Sequence, residues 1–240
     1  MDALKSVVDI FSVALRVCCK ALPKIWYWLL AYGGLLVLLS IIIALNAPYL
    51  VEGVYQVRSL MMMLVETTIV IAVTCYLKSI ILSELYHASI QTEVSSTVLL
   101  KNVLEKLPSI LIVSFIVWLS VNLGLLLLVV PGIVLGVLLY LALPLVTIDG
   151  HSPFSAVRRS VQLISKNSWL LVFIALTILA TIHYGLIWIS IMIIAKYLMQ
   201  YQKMLPILPA LKMLFLPIYL SFMVVFLANL KQQDSQAASE

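Results

Sequence analysis

Two ionisable side chains fall deep inside apolar stretches, Glu66 beside Thr67 and Thr68, and His183 ahead of Tyr184. Charge in hydrocarbon is costly, so an intramembrane acid and base are candidates for function by default. Counted from the ends of their runs, both come to roughly 10–14 Å from the same surface at 1.5 Å per residue. That shared depth admits a buried hydrogen bond, a proton relay or a polar ligand contact. Lys78, near the opposite end of its run, is expected to snorkel to the surface. HExxH, GxSxG, a Walker loop, a glycine-rich dinucleotide turn and any Cys/His cluster at metal-ligand spacing are absent. His87 and His151 lie in connectors without acidic partners and read as solvated. Cys18, Cys19 and Cys75 form neither a CxxC pair nor a disulfide framework, and packing accounts for them. The chain therefore reads as non-enzymatic, with no cofactor and no metal.

What must position such residues is set by composition. Of 240 residues, 64% are apolar and 10% charged, where a soluble domain carries about 25% charge. A soluble enzyme, a disordered chain and a disulfide-stapled module are excluded. The expected class is all-α, a polytopic transmembrane helical bundle forming one integral membrane domain over 1–240. Apolar runs predict six spans, near 25–46, 60–83, 109–130, 131–148, 168–192 and 210–230. Leu107–Ile148 is 42 residues without a charge, and Pro131-Gly132 near its middle predicts a tight turn between two spans. The small-residue pairs Ser120/Gly124 and Gly132/Gly136 should let those helices approach closely, with Asn122 placed to bond a neighbouring helix. Pro144 and Pro217 are expected to kink the fourth and sixth spans.

With both termini in the cytoplasm, the inner segments hold ten Lys and Arg residues and the outer ones four, Arg58, Lys196, Lys203 and Lys212. An outer amphipathic stretch around Lys196, Gln200 and Lys203 accounts for most of the contrary charge. Trp26, Tyr27, Trp28, Trp169 and Trp188 fit interfacial belts. No cleaved signal is expected at the N-terminus.

Three amphipathic segments recur. In 1–24, Leu4, Val8, Phe11, Leu15, Cys18 and Leu22 form a stripe beside Lys5, Asp9, Ser12, Arg16 and Lys20, ending at Leu22-Pro23. The second sets Leu100, Val103, Leu104 and Leu107 against Lys101, Asn102, Glu105 and Lys106, ending at Leu107-Pro108. In the third, Phe154, Val157, Val161 and Ile164 lie beside Arg158, Arg159, Gln162 and Lys166, after a capping Ser152 and Pro153. The plan is a three-fold repeat of cytoplasmic-face interfacial helix plus hairpin, about 1–84, 90–148 and 151–230, with a polar tail at 231–240. Arg16, Lys20, Lys106, Arg158, Arg159 and Lys166 are the candidate contacts to anionic lipid headgroups, each worth about 1 kcal/mol near a membrane surface.

Pro131, Gly132 and Pro144, followed by Gly150, Ser152, Ala156, Arg159, Ser160 and Asn167, carry a resemblance. Over about 128–172 the chain resembles the YciC-like bacterial inner-membrane family, related to the membrane domain attached to some glycerophosphoryl diester phosphodiesterases. The resemblance implies multi-pass residence in the bacterial inner membrane and an envelope or lipid-related role. It brings no phosphodiesterase activity, since no extramembrane stretch is long enough to hold that domain. The expected function is to bind, organise or help move membrane lipids. A small-solute or proton-coupled transporter centred on Glu66 and His183, and a structural partner of another membrane protein or of a second copy, are the alternatives. The net charge of +5 is assigned to lipid contacts, and no basic domain exists to hold nucleic acid.

Overall fold

A computed structural model describes residues 2–51, 57–92, 94–127, 129–167 and 212–237, together with 170, 173, 174, 177, 178 and 181. The elements are α1 (Asp2–Val51), α2 (Val57–Ser89), α3 (Ser96–Glu105), α4 (Leu107–Leu127), α5 (Val129–Leu138), α6 (Ala142–Thr147), α7 (Pro153–Asn167) and α8 (Lys212–Ala237). No strand occurs among the described residues. Four helical stretches are long and apolar enough to cross a membrane: Val8–Leu38, Thr68–Ser89, Leu107–Leu127 and Val130–Thr147. They overlap the first four expected spans, the first of them only over 25–38. In α8 the apolar part within the described residues is Leu216–Gln232. The expected fifth span and the outer stretch at Lys196–Lys203 lie outside the described residues.

The core is built where α1, α2 and α8 pack on one another. Ile25, Ile80, Ile81, Leu82, Leu85, Leu220, Phe222 and Phe226 are fully buried there, and the near-parallel rings of Phe222 and Phe226 are 5.9 Å apart. Against this core sit the first turns of α4 through Ile110 and Val113, α6 through Leu141 and Leu145, and α7 through Ala156 and Ile164. α8 continues through Pro217, where the buried Ser221 hydroxyl donates to the Pro217 carbonyl at 2.7 Å.

Three expectations are corrected. The expected surface helix at 1–24 is not a separate element: α1 runs unbroken past Pro23. An interior proline costs about 3 kcal/mol, and burial of Ala14, Val17, Ala21, Ile25 and Leu29 on both sides of it supplies packing on either side of that local defect. The apolar stripes are also rotated. In α1 the inward face is Ile10, Ala14, Val17, Cys18 and Ala21, while Val8, Leu15 and Leu22 are exposed; in α3 it is Leu99 and Val103, with Leu104 exposed. In α7 it is Ala156, Ser160, Leu163 and Ile164, with Val157 and Val161 half-buried and Phe154 76% exposed. Lipid is as apolar as leucine, so hydrophobicity alone does not separate a lipid-facing side from a protein-facing one; small residues mark the close contact.

Nor do Pro131 and Gly132 form a turn: both lie within α5. α4 ends at Leu127 and α5 begins at Val129, ahead of Pro131-Gly132. Pro131 thus occupies the first turn of α5, where a missing N–H leaves no helical bond unmade. Gly132 serves close packing: a Cβ there would lie 2.5 Å from the Leu125 nitrogen, and one on Gly124 would lie 2.7 Å from the Gly132 Cα. Gly136 is looser, its nearest neighbour being Val121 at 3.9 Å. Asn122 donates to the Trp118 carbonyl of its own helix at 2.7 Å and does not reach a neighbour. Trp26 and Tyr27 are exposed as belt residues would be, whereas Trp28 turns inward and its indole N–H is buried without an acceptor.

Candidate functional site

The expected fourth span does not stay one helix. Backbone bonding changes register at its break: Tyr140 N–H bonds the Val137 carbonyl at 3.2 Å and Ala142 N–H bonds that of Leu139 at 3.1 Å. These i→i+3 bonds take the partners that the Leu141 N–H and the Leu138 carbonyl have in a regular α-helix. One side chain meets both. The fully buried Ser160 hydroxyl of α7 donates to the Leu138 carbonyl at 2.7 Å and accepts from the Leu141 N–H at 3.2 Å. Ala156, one turn earlier and wholly buried, keeps α7 close enough for that reach.

Further along, Thr147 donates to the Leu143 carbonyl and its own carbonyl accepts from Lys106 Nζ at 2.8 Å. The chain then turns at Gly150 with φ +69, a left-handed conformation that glycine adopts without a Cβ penalty. Its neighbour Asp149 pairs with Lys231 of α8. Ser152 and Ser155 bond each other's oxygens as α7 starts. Pro144 is buried within α6, and Arg159 is half-buried on α7. Of the residues that carried the family resemblance, Pro144, Gly150, Ser152, Ala156, Arg159 and Ser160 lie on α6, α7 and the turn between them, bound to the α3–α4 corner by Lys106 and to α8 by Lys231, whereas Pro131 and Gly132 lie at the start of α5 against α4.

The expected cations divide. Arg158 is exposed, one turn from the exposed Phe154; Lys106 is half-buried and engaged with Thr147. Arg16 and Lys20 are exposed on α1, whose packing partners are α2 and α8, so the structure places them on a different element from Arg158. The side chains of Lys166 and Asn167 lie outside the described residues. His183 lies outside them as well, as does the side chain of Glu66 on α2. Lys78 is not simply extended to a surface: its ammonium stands 5.8 Å from the centroid of the Tyr32 ring in a cation–π arrangement. His87 belongs to the last turn of α2, its Nδ1 3.0 Å from the Thr92 hydroxyl, while His151 is exposed.

Replacing Lys106 with methionine is expected to remove about 1–2 kcal/mol of stability, the value of a charge-assisted hydrogen bond at a helix C-terminus. Lipid retention should be unchanged. A Lys106→Met protein that keeps its melting temperature yet loses bound lipid would return Lys106 to the headgroup contacts.

Between α5 and the end of α7 runs an apolar groove of about 540 Å³, lined by Val130, Val134, Val137 and Leu138 on one side and by Ser165 and Phe173 on the other. A second, polar cavity lies between α1, α2 and the start of α3. It contains a residue absent from the sequence-based site, Glu84, whose side chain is buried. Glu84 falls one position past the expected second span; the apolar Leu85 and Tyr86 beyond it were the available signal that the helix continues. Among the described residues no cluster of three His, Cys, Asp or Glu side chains is placed to hold a metal. No family model, curated protein or solved structure matches the chain.

Proposed function

We propose that this is a non-enzymatic inner-membrane protein that binds, organises or helps move lipids, with α7 as its headgroup-facing element and the α5–α7 groove as the place for an acyl chain. The observation that carries the reading is the two-sidedness of α7. Ala156, Ser160, Leu163 and Ile164 are locked into the bundle, while Phe154 and Arg158 are exposed one turn apart. An exposed aromatic next to an exposed cation suits the headgroup level of a membrane, and the cation attracts anionic lipid. The adjoining groove offers apolar walls to the tail of the same molecule.

The same reading places six spans in the membrane, both termini in the cytoplasm and the chain alongside the YciC-like family. The four membrane-length stretches support it, as do the amphipathic helices α3 and α7, each preceding or following a span. α1 combines the first such helix with its span in one element.

The test is native mass spectrometry of gently extracted protein, comparing wild type with Arg158→Ala/Arg159→Ala. Retention of phosphatidylglycerol is expected to fall by up to about thirtyfold, in keeping with about 1 kcal/mol for each of the two cations at a charged surface. Identical lipid content in both proteins would remove α7 as the headgroup contact.

A further inference from the structure

One side of α4 is turned away from the bundle. Its packed side carries the buried Ile110, Val113 and Gly124, whereas Ile112, Phe115, Leu119 and Leu126 are exposed, as is Asn122. These five follow one another at spacings of three, four, three and four, the spacing of a seam between two helices that cross at a small left-handed angle. In a membrane helix apolar residues do not by themselves separate such a seam from a lipid-facing side. Asn122 does. It lies within the 42 residues that carry no charge, about 7–8 Å inside the Leu127 end of α4 at 1.5 Å per residue. One amide N–H donates to the Trp118 carbonyl of its own helix at 2.7 Å; the amide oxygen and the second N–H have no partner among the described residues. Hydrocarbon holds no water to supply one, so an exposed amide at this depth is costly until another helix meets it.

Trp118 adds a second departure from a plain lipid-facing side. Its ring is stacked on that of Phe115 at 6.3 Å, and both side chains are exposed. Tryptophan that faces lipid belongs at headgroup level, yet Trp118 is at least about 13 Å from either end of α4 at 1.5 Å per residue. What the seam fits follows from the chemistry of the amide, which offers an acceptor and a donor together. A second copy of this chain, inserted in the same direction, brings its own Asn122 to the same depth, and a two-fold axis along the membrane normal turns the two α4 helices toward each other in parallel. Each amide oxygen then accepts the other's free N–H. A single asparagine in an otherwise apolar seam is also the device that sets register and helix number in parallel helix pairs. A charged span of another protein finds no counter-charge here, since α4 has none.

We infer that the side of α4 carrying Ile112, Phe115, Leu119, Asn122 and Leu126 pairs with the same side of a second copy in the membrane, held in register by reciprocal hydrogen bonds between the two Asn122 amides. The α4–α5 seam at Gly124 and Gly132 lies on the other side of the helix, so pairing leaves the hairpin intact. The inference goes beyond the lipid-binding reading and stands on different residues: that reading is scored at Arg158 and Arg159 of α7, this one at Phe115 and Asn122 of α4, so each fails separately.

The experiment has two arms, both on the full chain. In the first, two differently tagged forms carrying Phe115→p-benzoylphenylalanine are co-expressed and irradiated in their native membranes, and the crosslinked peptides are identified by mass spectrometry. The expected product joins α4 of one tagged form to α4 of the other, and the same photo-crosslinker at Ile71, exposed on α2, should join the two forms at least about tenfold less. In the second arm, donor- and acceptor-labelled chains are mixed in vesicles of phosphatidylethanolamine and phosphatidylglycerol and association is read by energy transfer. Asn122→Ala is expected to raise the dissociation constant about tenfold, the size of two interhelical hydrogen bonds in a membrane. The Phe115 variant keeps Asn122 in place, so the crosslink stays decisive should Asn122→Ala fail to fold. An adduct from Phe115 to residues 168–211 of the same chain, to a different protein or to lipid alone overturns the inference. So does an equal yield between forms from Ile71, or association that Asn122→Ala leaves unchanged.

Discussion

Ser160→Ala is expected to be among the most destabilising single substitutions in the chain. The hydroxyl is wholly buried and serves two backbone groups at once, the Leu138 carbonyl and the Leu141 N–H. Neither has another route, because the helical partner of each is taken by an i→i+3 bond of Tyr140 or Ala142. Removing the hydroxyl leaves a donor and an acceptor unpaired in an apolar interior, at about 1–3 kcal/mol each, for a total of roughly 2–6 kcal/mol. Ser160→Val carries the same loss and adds a branched side chain where there is no room. Ser160→Thr keeps the hydroxyl and should cost only the about 1–3 kcal/mol of one extra methyl in a full core. Denaturation in mild detergent, followed by helix content and by labelling of the buried Cys18, ranks the three. Were Ser160→Ala to unfold together with wild type while Ser160→Thr unfolded earlier, packing and not hydrogen bonding would be what Ser160 contributes. If α7 presents Phe154 and Arg158 to lipid, loosening this staple should also blur lipid retention.

Gly132→Ala is the second large effect. The new methyl would stand 2.5 Å from the Leu125 nitrogen and 2.5 Å from its Cγ. The backbone of α4 cannot yield as a flexible side chain does, so α4 and α5 must separate along their shared seam. Overpacking of this kind costs about 1–3 kcal/mol, and Gly124→Ala, facing the Gly132 Cα at 2.7 Å, should behave alike. Gly136→Ala is the matched control on the same helix: its nearest neighbour is 3.9 Å away, and the gain in helix propensity is up to about 1 kcal/mol. Thermal melting should therefore move in opposite directions for Gly132→Ala and Gly136→Ala. Equal melting temperatures would mean that the α4–α5 seam carries no stability.

The membrane class and the main helices were legible in the chain because their signal is cumulative. A 42-residue run without charge has few alternatives to two packed apolar helices, and Gly124 and Gly132 announced a close seam by their size. Which side of each helix faces protein was not legible. Val8, Leu15, Leu22 and Phe154 are as apolar as Ile10, Val17 and Leu163, yet the first group is exposed and the second buried. In water that difference is written in polarity; in a bilayer both sides are apolar, and the choice falls to fit between neighbouring helices.

The same reason governs the candidate sites. Gly150 and Ser160 were singled out only by the family resemblance, and that Ser160 closes a break between α5 and α6 depends on an i→i+3 register that no local pattern encodes. Lys106 carried the right charge for a headgroup, and its hydrogen bond to the Thr147 carbonyl at the end of α6 could not be read from the sequence. Glu84 was singled out by no spacing in the sequence, and its burial beside α1 and the start of α3 comes from packing. Composition and periodicity settle how much apolar surface a chain has and how long its helices run, since both are sums over residues. Which polar group is buried, and against what, is a property of pairs distant in the chain, and it comes into being when the helices pack.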